Sequence, residues 1–126
     1  MATKDLKNDI NVEPGLKPVT LTTGSTNGLD VDTRGFETVT LIGQADTAFA
    51  GTFTVQEGDS TTAYSNAGAD DIIGTNGASA VAGDIITLGY TGSKRYVRVV
   101  TACTTGGEAS ACFILGTPHV AKTGAN

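Results

Sequence analysis

The sequence predicts an all-β protein: a single β-sandwich or jelly-roll-like barrel of about seven or eight short antiparallel strands. Two observations predict it. Short runs alternate apolar and polar residues with the period of two that marks a half-buried strand. The composition is rich in Gly, with 17 residues, and lacks Trp, which suits short strands and turns better than helix bundles. A chain of 126 residues is long enough for one core, so we expect one domain.

The first 17 residues are expected to form an extended N-terminal arm. Leu6 and Ile10 supply too narrow an apolar stripe for a stable amphipathic helix. Pro14 and Pro18 restrict the residues before them to extended backbone. Terminal disorder is the alternative interpretation of this segment. The candidate contact residues of such an arm are Leu6, Ile10, Val12 and Pro14.

The β-domain is expected at residues 18–116, with a C-terminal tail at 117–126. Alternation places Val39 with Leu41 on one face, and Phe53 with Val55 on another. Two such half-apolar faces can pack as a sandwich. Small and polar residues suggest long surface loops in 57–84, and the last two strands should form a hairpin across "CTTGGE". Strands are expected at 18–23, 29–33, 36–43, 50–58, 71–73, 84–90, 94–102 and 110–116.

Charge and hydropathy exclude several classes of protein. The net charge of −5 and the pI near 4.5 argue against broad nucleic-acid binding, which depends on many Lys and Arg side chains at phosphates. No apolar run is long enough for a membrane span, and no signal peptide begins the chain. We therefore expect a soluble protein that is synthesised in the cytoplasm.

The sequence offers no catalytic group and no metal or cofactor site that we would assign. The one His, His119, lies in the expected tail, away from any nucleophile. Asp30 and Asp32 share a strand face and with Asp46 could approach a calcium ion, but their spacing is not that of an EF-hand. We expect an enzyme activity to be absent, and likewise a metal and a cofactor.

Cys103 and Cys112 flank the sequence "TTGGEASA". A disulfide across the expected hairpin is one interpretation of this spacing. The other interpretation is two buried, free thiols on adjacent strands, and it is favoured because cytosolic synthesis keeps thiols reduced.

The stretch "GYTGSKRYVRVV" breaks a long acidic region, because residues 35–93 contain no Lys or Arg. Strand periodicity should turn Val97 and Val99 to the core and Arg98 outward beside Tyr96. Exposed Arg and Tyr side chains are frequent in protein interfaces; the alternative is that these cations neutralise acidic loops of the same domain. The candidate contact residues of this strand are Lys94, Arg95, Tyr96 and Arg98.

Several short blocks resemble a known family. "VDTRGFETVTLIGQ", "DDIIGT" and "LGYTGSKRYVRVV" follow one another, preceded by the Pro-flanked leader "PGLKPVTL". In this order they resemble small all-β proteins from the head-gene region of tailed bacteriophages and prophages, the capsid decoration (cement) proteins. The resemblance covers roughly residues 14–116. The two cysteines are not expected across the family, and apart from "DDIIGT" the 57–84 region varies freely there.

The resemblance implies a structural virion protein on the outer surface of the head, which binds the major capsid protein and stabilises the shell. It implies no catalytic residue, and it favours self-association, with a trimer as the commonest arrangement. A different class remains open: a receptor- or carbohydrate-binding virion module, such as a fibre tip or spike.

Overall fold

A computed structural model describes residues 10–46, 49–81 and 83–118. In these three ranges the chain forms eleven β-strands, one short 3₁₀ turn at Ala69–Asp71 and no α-helix, which confirms the all-β expectation. The strands are β1 Ile10–Leu21, β2 Gly24–Asn27, β3 Val31–Asp32, β4 Phe36–Ala45, β5 Ala50–Ser60, β6 Ala63–Asn66, β7 Ile72–Ile73, β8 Ala78–Val81, β9 Ile85–Tyr90, β10 Tyr96–Thr105 and β11 Gly107–Pro118.

The strands form two antiparallel sheets that pack as a sandwich. Sheet A has the order β1-β11-β4-β9-β7. Sheet B has the order β2-β10-β5-β6, with β3 also paired to β10 and β8 also paired to β5. Two of the strands, β6 and β8, lie in the 57–84 region, for which long surface loops with one short strand at 71–73 were expected. They form there because main-chain pairing with β5 requires no apolar side chain.

The core lies between the inward faces of the two sheets. The alternation read from the sequence is confirmed for the pairs on which it was based: Val39 with Leu41 in β4, Phe53 with Val55 in β5, and Val97 with Val99 in β10 are all buried, with half-buried residues between them. A side chain of this kind stabilises the fold by about 1.5–3 kcal/mol relative to an exposed one. The largest fully buried side chains are Phe49, Phe53, Phe113, Leu41, Leu88, Leu115, Val55, Val97, Val99 and Thr101.

Pairing along β1 starts earlier than the expected boundary between arm and domain. From Ile10 onward β1 is hydrogen-bonded to β11, so residues 10–17 belong to sheet A. Pro14 and Pro18 do not end this strand, because it is an edge strand with register shifts beside both prolines. Proline is tolerated at edges and bulges, where its missing N–H interrupts no ladder. Residues 1–9 lie outside the described ranges, and at the other end β11 continues to Pro118.

The expected hairpin between the last two strands is wrong. β10 pairs with β5, β2 and β3 in sheet B, whereas β11 pairs with β1 and β4 in sheet A. Both sides of each strand are therefore occupied by other partners. The chain crosses between the sheets at Gly106, where a Cβ would collide with the main-chain oxygen of Leu21.

Candidate contact surfaces

The basic strand has the orientation that the sequence predicts. Val97 and Val99 are fully buried, and Tyr96 and Arg98 are half-buried on the outward face of β10. Arg95 precedes the strand, and its guanidinium carbon lies 5.0 Å from the centre of the Tyr96 ring. The four basic-strand candidates are therefore together at one end of sheet B.

Two of these cations are paired with acids of the same domain. Lys94 Nζ lies 3.0 Å from Asp59 Oδ2. Arg95 contacts Asp32 through two hydrogen bonds, Nε to Oδ1 at 3.0 Å and Nη2 to Oδ2 at 2.8 Å. The hydrogen bond from Arg95 is the main reason why the pKa of Asp32 lies below its usual range. Internal neutralisation, the alternative read from the sequence, is the arrangement observed for both residues.

The third cation, Arg98, is held by polar contacts across sheet B. Its Nε donates to Gln56 Oε1 at 2.8 Å, and its guanidinium carbon lies 4.2 Å from the centre of the Tyr64 ring. The Tyr64 hydroxyl donates to Asp30 Oδ1 at 2.7 Å. Burial, with this hydrogen bond, raises the pKa of Tyr64 well above its usual value. One face of the Tyr64 ring is thus already covered by a guanidinium group.

The three aspartates considered for calcium are engaged separately. Asp30 accepts from Tyr64, Asp32 accepts from Arg95, and Asp46 Oδ1 accepts from the main-chain N–H of Phe49 at 3.1 Å. Within the described ranges no three His, Cys, Asp or Glu side chains are grouped as metal ligands would be.

The two cysteines are free thiols on strands of different sheets. Cys103 faces the core from β10 and is only 5% exposed, and burial raises the pKa of its thiol. Cys112 is half-buried on the outward side of β11. The crossing at residue 106 therefore separates two residues that a hairpin would have placed side by side.

Three candidate residues of the expected arm lie in β1, and their neighbours define a surface that the sequence did not reveal. In the register of β1, Val12 lies opposite Ile114 and Pro14 opposite Cys112, all on the side of sheet A away from the core. Ile10 lies opposite Gly116 at the start of the strand. Leu6 lies outside the described residues.

The outward side of sheet A carries no charged side chain over four successive cross-strand rows. Three of the five exposed large apolar residues of the described chain lie here: Val12, 54% exposed, Ile73, 67%, and Ile85, 62%. We call this surface the uncharged face. Its members are Ile10, Val12, Pro14, Thr38, Thr40, Ile42, Gln44, Ile73, Ile85, Thr87, Gly89, Ser110, Cys112, Ile114 and Gly116.

A groove of about 410 Å³ indents the uncharged face beside β1. It follows from the register shifts after Pro14, because Gly15 and Leu16 are both buried and the strand lacks an outward side chain there. Small residues of β11 form its floor. The lining residues are Val12, Pro14, Leu16, Lys17, Pro18, Ile42, Gln44, Ser110, Ala111 and Cys112.

Comparison with known proteins gives no relative: no family model, curated protein or solved structure matches this chain. Among the residues described, no helix is long and apolar enough to cross a membrane.

Proposed function

We propose that this chain is a structural virion protein that decorates the outside of a tailed-phage capsid and stabilises it by binding the major capsid protein lattice. The observation that carries the proposal is the uncharged face. In a chain with 21 charged residues (8 basic and 13 acidic), four successive uncharged rows across a five-stranded sheet favour contact with another protein. Depletion of charge is typical of interface cores.

The size of the face fits weak contacts repeated on a lattice. Strands about 4.8 Å apart and residues about 3.4 Å apart give a surface of roughly 20 by 20 Å, or about 400 Å². A stable interface needs about 800 Å² from each partner. One copy alone would therefore bind weakly, whereas copies linked to one another, as in the favoured trimer, would gain affinity from multivalency on the shell.

The basic strand takes a different part in this proposal from the one first expected. Lys94 and Arg95 form ion pairs with Asp59 and Asp32 of their own domain, so in this proposal they stabilise the domain and do not bind phosphate groups. With these cations paired and the net charge negative, we expect no nucleic-acid partner. The proposed location is the outer surface of the head, and the role requires no catalytic group or cofactor.

The number of copies in purified virions tests the proposal. Quantitative mass spectrometry of this chain against the major capsid protein should give a ratio near one, or one copy per few capsid subunits. A handful of copies per particle would point to a tail, fibre or vertex instead. Complete absence from virions would overturn the virion assignment.

The alternative, a receptor- or carbohydrate-binding module, has less support. Sugar sites commonly stack a ligand on an aromatic ring, and the loop region offers Tyr64, whose ring already contacts Arg98. A glycan array on which this chain binds a sugar with saturable affinity would favour the alternative over decoration.

A further inference from the structure

We propose that the groove beside β1 is the anchor site for the capsid partner, and that it takes an apolar side chain next to a carboxylate on an extended segment of that partner. This inference rests on the proposed decoration function and adds the chemistry of the contact. It places the main capsid contact in this groove rather than at the candidate contact residues of the basic strand.

The shape and lining of the groove suit a single apolar anchor. Its volume of about 410 Å³ lies in the range of about 300–1,000 Å³ that is common for binding pockets. Pro14 and Ile42 form apolar walls, and Ser110 and Ala111 leave the floor low. A buried apolar anchor surrounded by near-neutral contacts is the usual organisation of a protein interface.

The charge of the groove lining indicates which group of the partner should lie next to the apolar anchor. Lys17 is the one charged residue in the lining, it is exposed, and it makes no ion pair within the described ranges. Gln44 and Ser110 add polar groups in the same lining. A carboxylate adjacent to the apolar anchor would meet Lys17 and gain a charge-assisted hydrogen bond.

A second copy of this chain is a poorer occupant than the capsid protein. Two copies that met through their uncharged faces would set uncharged rows against uncharged rows, so the members of the face would supply no carboxylate to Lys17; the acid nearest in sequence on that side of β11, Glu108, lies in the row next to the face. Their contact would also reach only about 400 Å² per copy, below the size of a stable dimer. The groove therefore complements a different protein surface better than its own.

Binding of purified heads that lack this chain tests the inference, with the native Cys112 as a reporter inside the groove. Iodoacetamide should alkylate Cys112 in the free protein and leave it unmodified on heads. Buried Cys103 serves as the internal control for unfolding. Lys17→Glu and Ser110→Phe should each weaken head binding by on the order of tenfold or more, because one reverses the charge and the other fills the groove.

Arg34→Glu is the matched control, because Arg34 is an exposed cation without an ion pair in the described chain and does not line the groove. It should bind heads as the wild type does. Two results would refute the groove as the anchor site without refuting the decoration function: the wild type binds heads while Cys112 still reacts, or both groove variants bind heads as well as the wild type does. No wild-type binding at all would overturn decoration itself. Protection of Cys112 at high protein concentration without heads would overturn the capsid partner in favour of a second copy.

Discussion

Asn76 is predicted to be the most important polar side chain for the stability of sheet B. On one side of β5, β8 pairs with residues 50–53 and β6 with residues 56–60, and Asn76 fills the gap between them. Its Oδ1 accepts from the Val55 N–H at 2.7 Å, and its Nδ2 donates to the carbonyls of Val55 and Ala67, each at 3.1 Å. The side-chain amide thus replaces a missing strand residue.

The expected cost of Asn76→Ala follows from these three hydrogen bonds. At about 0.5–1.5 kcal/mol each they contribute roughly 1.5–4.5 kcal/mol. The Val55 N–H lies in a fully buried residue, and an unpaired buried donor places the cost towards the upper half of that range. Urea unfolding followed by far-UV circular dichroism should therefore show a loss of about 3 kcal/mol in the free energy of unfolding.

Asn66→Ala is the matched control, since exposed Asn66 only accepts one hydrogen bond from Gln56 at 3.0 Å. It should cost less than about 1 kcal/mol. Asn76→Asp keeps the acceptor for Val55 but turns a carboxylate towards two carbonyls, so at neutral pH it should be at least as unstable as the alanine variant. If Asn76→Ala were no less stable than Asn66→Ala, the view of Asn76 as part of the ladder would be refuted.

Three further predictions follow from burial and charge. Phe113→Ala should cost about 3–5 kcal/mol of unfolding free energy, whereas Ile114→Ala, on the uncharged face, should cost at most about 1 kcal/mol; equal losses would contradict the assigned faces. Because the pKa of Asp32 is lowered, its pair with Arg95 stabilises the fold above the unfolded pKa of about 3.9 and loses effect as the pH falls through the folded value. Asp32→Asn should remove that acid dependence at a neutral-pH cost under about 1 kcal/mol, since both side chains are over two-fifths exposed. Burial first, and then a hydrogen bond, raise the pKa of Tyr90, so its contribution should be full below about pH 10 and decline above it; Tyr90→Phe should flatten the alkaline part of the stability profile.

Local alternation was sufficient to predict the strands whose inward side chains are large. Val39 with Leu41, and Phe53 with Val55, identify β4 and β5 because half-buried strands repeat every two residues. The same logic could not find β6 and β8, because neither strand alternates large apolar residues with polar ones: β6 is AYSN and β8 is ASAV. These two strands are stabilised by main-chain hydrogen bonds to β5, and such pairing cannot be recognised from a pattern of side chains.

Long-range pairing explains the remaining differences between expectation and structure. Pro14 falls in the expected arm, yet it lies within a paired strand, because β1 is an edge strand where proline is tolerated, and this is a property of the whole sheet. In the sequence, Lys94 and Arg95 look available to an external partner. In the structure they are paired within the domain with Asp59 and Asp32, which lie 35 and 63 positions away and so could not be identified from the local sequence. The uncharged face likewise exists only because five separate strands lie side by side in sheet A.

The position of β11 has a consequence for how the protein is made. It is the C-terminal strand of the described chain, and in sheet A it lies between β1 and β4. β1 therefore has no neighbour in its sheet until residues 107–118 have left the ribosome. Contacts so distant in sequence are slow to form, so we expect the domain to fold as one unit, and only once β11 has been synthesised. A chain shortened before β11 should be degraded or aggregate rather than persist as a smaller sandwich.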